Sequence, residues 1–254
     1  MQRTLDTLIL TAADIAVLDE NDFGVKGLIA HEWIGPFVKV QQVGPLIMVH
    51  DGIFDPHMGI GHHPHRFNER LFYILEGAVD HDDALNRIQG HMGTGDLGRL
   101  TEGRGGMFHQ EWNNTDGRAR AFILVCTTDP VPPRASFEAL RDLEAPRYES
   151  APGVRTKEIV GPTANLEVHG DVRLFTDDII DAGSELEFAL EADEGGLVFP
   201  LEGEVHLGDA AMARETMLIF PPEADQRTRT LNSPSGARVL RVVAGPGEGV
   251  LVRA

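Results

Sequence analysis

The feature that most constrains this chain is a repeat. Leu71-Phe72-Tyr73-Ile74-Leu75-Glu76-Gly77-Ala78-Val79 returns 126 positions later (197 − 71) as Leu197-Val198-Phe199-Pro200-Leu201-Glu202-Gly203-Glu204-Val205. Each copy is an apolar run of strand type closed by a turn glycine. The offset is close to half of the 254 residues, as a duplicated barrel requires. Further runs read as strands: Phe37-Val38-Lys39-Val40, Leu46-Ile47-Met48-Val49, Thr216 to Phe220 and Ala237 to Val243. Gly35-Pro36, Gly44-Pro45 and Asp55-Pro56 mark turns between the early ones, and a polar turn is expected around Asp19-Glu20-Asn21-Asp22. Short strands spaced in this way predict an all-β fold of sandwich or barrel type. One short linker helix is expected from Ser136 to Leu143, with Ser136 as N-cap and Phe137, Leu140 and Leu143 as its apolar stripe. The expected division is residues 1–130 as a first barrel, 131–160 as a linker carrying that helix, and 161–254 as a second barrel.

Within the first half, two short motifs carry chemistry. His63-Pro64-His65 and His109-Gln110-Glu111 each place two ligand-type side chains on one face of a strand, because side chains alternate with a period of two. Two such strands facing each other across a barrel would bring four donors to one point. Three imidazoles and a carboxylate suit a divalent first-row metal. His63, His65, His109 and Glu111 are therefore the expected metal ligands. Nine of the eleven histidines fall between His31 and His109, which favours a metal over scattered surface residues. His62 faces away from His63 and His65, so it is set aside. His57, His81 and His91 stand in polar, turn-like contexts and are expected to face solvent or to sit behind the ligands. The glycine-rich Gly103-Arg104-Gly105-Gly106 is followed by no helix and is not a phosphate loop; its glycines let the chain pass close to the site. The second copy has no H-x-H. Its equivalent region, Phe188 to Asp193, offers only carboxylates, and His169 and His206 are isolated, so one metal per chain is expected.

Charge and cysteine content exclude other classes. A formal net charge of −18 repels nucleic-acid phosphates. The single Cys126 lies in an apolar run and cannot form an internal disulfide or a thiolate cage, which fits a reducing, cytoplasmic setting. Thr7 to Ala13 is broken at once by Asp14, so neither a signal peptide nor a membrane span is expected. A monomer is the default.

Taken in order, His63-Pro64-His65-Arg66, Tyr73-x-Leu75-Glu76-Gly77, His81-Asp82-Asp83, Gly95-Asp96-Leu97, Thr101-x-Gly103-Arg104-Gly105 and His109-x-Glu111 resemble the pirin family of bicupins. The resemblance is strongest over residues 45 to 127 and continues faintly to Ala244-Gly245-Pro246. It implies two cupin (double-stranded β-helix, jelly-roll) barrels, with the same quartet holding a metal in the first, usually iron. Fe(II) is the first choice; Mn, Ni, Cu, Co or Zn would also fit. Similar proteins in the family are flavonol 2,3-dioxygenases, or quercetinases. The resemblance thus implies a dioxygenase of flavonol or related enol and phenolic substrates, with an aromatic small molecule and dioxygen as partners and Glu111 as candidate general base. The alternative is a non-catalytic, iron-dependent regulator that binds a protein partner. Phe67, Phe72, Leu97, Leu100 and Phe108 are candidate cavity walls, and Arg104 a candidate contact to a substrate oxyanion. Two departures bear on the substrate: Phe67-Asn68 stands where the family has Gly-Phe or a similar pair, and Leu97 to Leu100 replaces a bulkier run.

Overall fold

The computed structural model describes residues 2–4, 7–247 and 250–252 of the chain. Among these residues there are twenty-four strands and one four-residue helix. The first half holds β1 (Gln2–Thr4), β2 (Thr7–Thr11), β3 (Ala16–Leu18), α1 (Glu20–Phe23), β4 (Leu28–Ile34), β5 (Val40–Val43), β6 (Leu46–Phe54), β7 (Gly59–His65), β8 (Asn68–Glu76), β9 (Ala78–Asp83), β10 (Ile88–Gly93), β11 (Leu97–Thr101), β12 (Met107–Trp112) and β13 (Ala119–Thr127). There follow β14 (Ser136–Leu140), β15 (Arg147–Ala151), β16 (Val154–Val160), β17 (Val172–Ile180), β18 (Ser184–Leu190), β19 (Gly195–Leu207), β20 (Ala210–Ala213), β21 (Thr216–Phe220), β22 (Arg227–Ser233), β23 (Ala237–Ala244) and β24 (Val250–Val252). No helix among the described residues is long and apolar enough to cross a membrane.

The strands form two β-barrels. In the first, a nine-stranded sheet around β14-β11-β8-β13-β6-β4-β3 packs on a four-stranded sheet, β10-β9-β12-β7. The second is built from one eleven-stranded sheet. Three apolar cores result. Phe72, Ile74, Met92, Met107 and Ile123 fill the first barrel, and Val198, Val205, Leu218, Phe220 and Leu231 fill the second. The third core lies between the barrels and includes Trp33, Leu71, Tyr73, Phe122, Phe175, Leu197, Phe199 and Leu240.

This arrangement explains the repeat. A strand inside a barrel that also backs onto another barrel is buried on both faces, so it reads as a continuous apolar run. In β8, Leu71 and Tyr73 point to the shared core and Phe72 and Ile74 into the first barrel. In β19, Leu197 and Phe199 point to the shared core and Val198 into the second barrel. The same positions of the two copies therefore meet in the middle. Rings interlock there: Phe199 stands edge-on to Trp33 at 5.3 Å and stacks on Phe122 at 5.0 Å between centroids. Polar ties frame them. Tyr73 donates to Asp177 Oδ2 at 2.6 Å, and Arg238 grips both oxygens of Asp177 at 2.9 and 2.6 Å. Buried Glu69 accepts the backbone N–H groups of His169 and Gly170 at 2.7 and 3.0 Å.

The linker helix does not form. Residues Ser136–Leu140 are β14, paired antiparallel to β11 with Phe137 opposite Leu100. The spacing of Phe137, Leu140 and Leu143 fits a helical stripe, but Leu143 is 93% exposed and takes no part in the packing. Pairing with an open sheet edge overrides a weak local signal. Phe137 is held by glycines opposite: a Cβ at Gly90 would lie 2.4 Å from its ring. The expected linker also contains β15 and β16, which belong to the second sheet. The one helix forms instead at the expected polar turn, where Asp19 accepts from Asn21 N–H and Asp22 reaches back to the Asp19 N–H. Phe37 to Lys39 is turn rather than strand; β5 begins at Val40.

Pairing also crosses the midline at both ends of the chain. β2 joins the second barrel through β21, with Leu8 opposite Ile219. β24 joins the first barrel through β5, with Val250 opposite Val43.

Cys126, in β13, is fully buried in the shared core, and burial pushes its thiol far up. It should resist a thiol reagent such as Ellman's reagent in the native protein and react with one equivalent in denaturant. Rapid reaction under native conditions would contradict its placement.

Candidate metal centre

The two ligand-bearing strands are neighbours in the four-stranded sheet, not opposed across the barrel. β7 and β12 pair antiparallel, with His109 directly opposite His63 and Met107 opposite His65. A cross-strand pair holds side chains of one face within about 5 Å at Cβ, so adjacency serves convergence as well as opposition would. The imidazole centroids of His63 and His109 are 4.6 Å apart, those of His63 and His65 4.8 Å, and those of His65 and His109 5.3 Å. One nitrogen from each of these rings lies within 4.8 Å of the others.

Glu111 stands slightly apart. The register shifts between His109 and Glu111, and Glu111 groups with His81 and His109 instead of with His63 and His65. Its Oε1 accepts from His109 Nδ1 at 2.7 Å and from His81 Nδ1 at 2.9 Å. The expected quartet thus becomes two overlapping triads that share His109. His81 was expected at the solvent or behind the ligands; it is only 1% exposed and lies directly opposite Glu111 on β9. His57 and His91 do face solvent, on Asp116 and Asp80, and His62 points away, bonded to Asp82 at 2.9 Å and stacked on Phe108.

The hydrogen bonds set the tautomers. A carboxylate or carbonyl oxygen can only accept, so each Nδ1 that faces one carries the proton. His109 and His81 donate Nδ1–H to Glu111, and His63 donates Nδ1–H to the Gly61 carbonyl at 2.8 Å. In a neutral ring the lone pair is then on Nε2. The Nε2 atoms of His109 and His81 are buried and have no partner among the described residues. A buried imidazole nitrogen with its lone pair uncommitted, beside two further imidazoles, is the donor set that a divalent cation completes. Burial, the largest cause, drives the His63 imidazolium below its ordinary range, helped by the charge of His109. Burial and then the Arg70 guanidinium take His65 down to about 3. Both rings are thereby neutral and able to ligate at pH 7. For Glu111, burial pushes the carboxyl up, but the hydrogen bonds and charges of His109 and His81 outweigh it and hold the group well below the usual carboxylate range.

His63, His65 and Glu111 line a cavity of about 210 Å³ inside the first barrel, together with Phe54, Phe72 and Ile123 and with Phe23 of α1. Of the wall residues expected from sequence, only Phe72 is there. Leu97 and Leu100 are fully buried core, and Phe67, Phe108 and Arg104 are on the outer surface. Three polar residues that sequence reasoning missed are associated with the cavity: His50 and Arg70 line it, and Glu32 is bonded to His50 at 2.9 Å. Their signal was a charged or polar residue inside an apolar strand, such as Glu32 before Trp33-Ile34 or Arg70 before Leu71-Phe72. The glycine loop behaves as expected, since a Cβ at Gly106 would come 2.8 Å from the carbonyl of His65. Among the described residues, both groups able to hold an ion lie in the first half.

Phe67 takes φ of 84°, a left-handed conformation that costs a non-glycine residue about 1–2 kcal/mol. Phe67→Gly should relieve it, raising stability by about 1 kcal/mol after the added freedom of the unfolded chain. A chemical melt would show this, and a lower midpoint would mean that the contact of Phe67 with Arg66, 4.8 Å above its ring, outweighs the strain.

Comparison with known proteins agrees with this geometry. The family model for Pirin matches residues 22–124, which include every residue of both triads. Pirin-like protein 2 of Arabidopsis thaliana is 25% identical over 222 residues, which cover 80% of this chain and 65% of that protein. Quercetin 2,3-dioxygenase of Escherichia coli is 27% identical over 136 residues, 51% of this chain and 54% of that protein. The chain thus spans about two thirds of the first relative and about half of the second. The bacterial pirin YhhW of Escherichia coli, solved in complex with nickel(II), superposes with a TM-score of 0.72 at 18% identity, over 91% of this chain and 99% of that one, and shows the fold to be the same. Two β-barrels, an H-P-H-R strand paired to an H-x-E strand and a family model that matches residues 22–124 together make the first half of this chain similar to the pirin family.

Proposed function

We propose that this protein is a metal-dependent dioxygenase of enolic or phenolic aromatic compounds, the class to which flavonols belong. The observation that carries the reading is the His109 ring: its Nδ1–H is held by Glu111, and its buried Nε2 is unpartnered beside His63 and His65. His63, His65 and His109 would hold the ion, with Glu111 as the fourth candidate ligand; Fe(II) is the first choice and Mn, Ni, Co, Cu or Zn alternatives. A metal bound there supplies a Lewis acid that favours the ionised form of a substrate hydroxyl and a template that orients it toward dioxygen. The chain does the rest. Phe54, Phe72 and Ile123 offer an apolar bed for a ring. The Gly61 carbonyl and Glu111 fix the ring orientations of His63 and His109 before any ligand arrives. Names of relatives support the reaction class, and function on this fold is decided by the site.

The test is metal analysis of the purified protein, then anaerobic loading with Fe(II) and measurement of oxygen uptake with flavonols and with single-ring phenols. Uptake that requires both metal and substrate is the expected result. A fully loaded protein that consumes no oxygen with any of them would overturn the reading.

A further inference from the structure

Opposite the histidines, the cavity wall is one face of the nine-stranded sheet. Register aligns His50, Ile123 and Phe72 in a row across β6, β13 and β8, and Met48, Val125 and Arg70 in the row two residues along. Positions two apart share a face, and both His50 and Arg70 line the cavity.

His50 is half of a dyad. Glu32 on β4 is its cross-strand partner and accepts its Nε2–H at 2.9 Å. Glu32 is completely buried, its other oxygen accepts the Phe37 N–H at 2.7 Å, and a Cβ at Gly35 would lie 2.4 Å from its carboxyl carbon. The carboxylate is therefore fixed, and it leaves the lone pair of His50 on Nδ1. Glu111 is less available as a proton acceptor, since its Oε1 already serves two imidazoles.

Arg70 is anchored by one end only. Its Nε donates to Glu102 Oε1 at 2.8 Å, and Glu102 is held in turn by the Asn68 N–H. Among the described residues, the hydrogen bond and ion pair of Arg70 both run through Nε, and neither terminal nitrogen of the guanidinium takes part. A fork of this kind, fixed at its stem and open at its end, matches a carboxylate.

Resting on the reading of this cavity as a substrate site, we infer that its substrate is a small anion: a one-ring enol or phenol carrying a carboxylate. The carboxylate pairs with Arg70, and the hydroxyl meets His50 and the metal triad. The O–H bond breaks with its electron pair left on oxygen, and the proton goes to His50 Nδ1, where Glu32 stabilises the imidazolium. Size agrees. The 210 Å³ cavity is below the roughly 300–1,000 Å³ of drug-sized sites, and β6 and β8 flank β13, about 10 Å apart at two strand spacings.

The test uses salicylate, benzoate and phenol as probes, bound by calorimetry to protein as purified with its metal content measured. Salicylate should bind the native protein at least about tenfold more tightly than either of the others, the worth of one charge-assisted hydrogen bond. Arg70→Gln should weaken salicylate and benzoate by about that factor and leave phenol unchanged. Arg70→Lys, which keeps the charge beside Glu102 and so guards against misfolding, should restore part of it. His50→Gln should erase the advantage of salicylate over benzoate and leave benzoate alone. Three probes within about threefold of one another, or a loss at Arg70→Gln that phenol shares, would overturn the inference. Oxygen uptake on flavonols that Arg70→Gln leaves intact would overturn it too and keep the oxygenase reading. The expected binding pattern without oxygen uptake on any substrate would keep the ligand class and remove the oxygenase.

Discussion

Replacing His109 with alanine should abolish metal retention and oxygen uptake together. His109 is the one residue common to both triads, so its loss disables either arrangement. Outer partners of metal ligands are worth about 10–100-fold in affinity, and a ligand itself should exceed the top of that range. Metal content after dialysis and oxygen uptake with a responsive substrate are the measurements. The neighbours then separate the alternatives. If the ion sits among His63, His65 and His109, His63→Ala and His65→Ala should match His109→Ala, and His81→Ala should fall within the smaller range. If it sits among His81, His109 and Glu111, the order reverses. Full metal content in the His109 variant would remove both triads.

Phe199→Ala should be the most damaging change away from the metal. Phe199 is 2% exposed and packs against Trp33 of β4 and Phe122 of β13, both in the nine-stranded sheet of the first barrel. Truncating a buried aromatic costs about 3–5 kcal/mol, transfer and cavity combined. For a chain of this size that is a fall in melting temperature on the order of 10 °C. The metal site is in the first barrel and not in this core, so residual folded protein should still bind metal. A loss under 1 kcal/mol would mean that the barrels do not depend on this core.

The architecture was legible where pattern and packing agreed. The copies at Leu71 and Leu197 announced two equivalent strands, and their unbroken hydrophobicity came from lying between two cores. His63 and His65 were legible as a pair because side chains on a strand alternate, and His109 joins them where β12 pairs with β7. What was not legible was which strands become neighbours. His81 lies in a polar stretch, His81-Asp82-Asp83, and only its pairing with Glu111 buries it. Glu32, His50 and Arg70 belong to three strands that meet only through the sheet. Phe137 fitted a helical stripe until β11 offered it an edge. Leu97 and Leu100 pointed to a cavity by position in the motif, but the sheet turned them into core.

The crossing of strands at the two ends has a consequence for synthesis. Leu8 finds its partner, Ile219, more than two hundred residues later in the chain. At roughly 5–20 residues per second, a ribosome takes on the order of ten to forty seconds to deliver it. Throughout that interval the first barrel can assemble on the nascent chain, but the Thr7–Thr11 strand has only a bare edge to present. Closure must therefore wait until β21 has been made, and chaperone capture of that apolar segment, Leu8-Ile9-Leu10, would be a natural guard against premature association between neighbouring nascent chains.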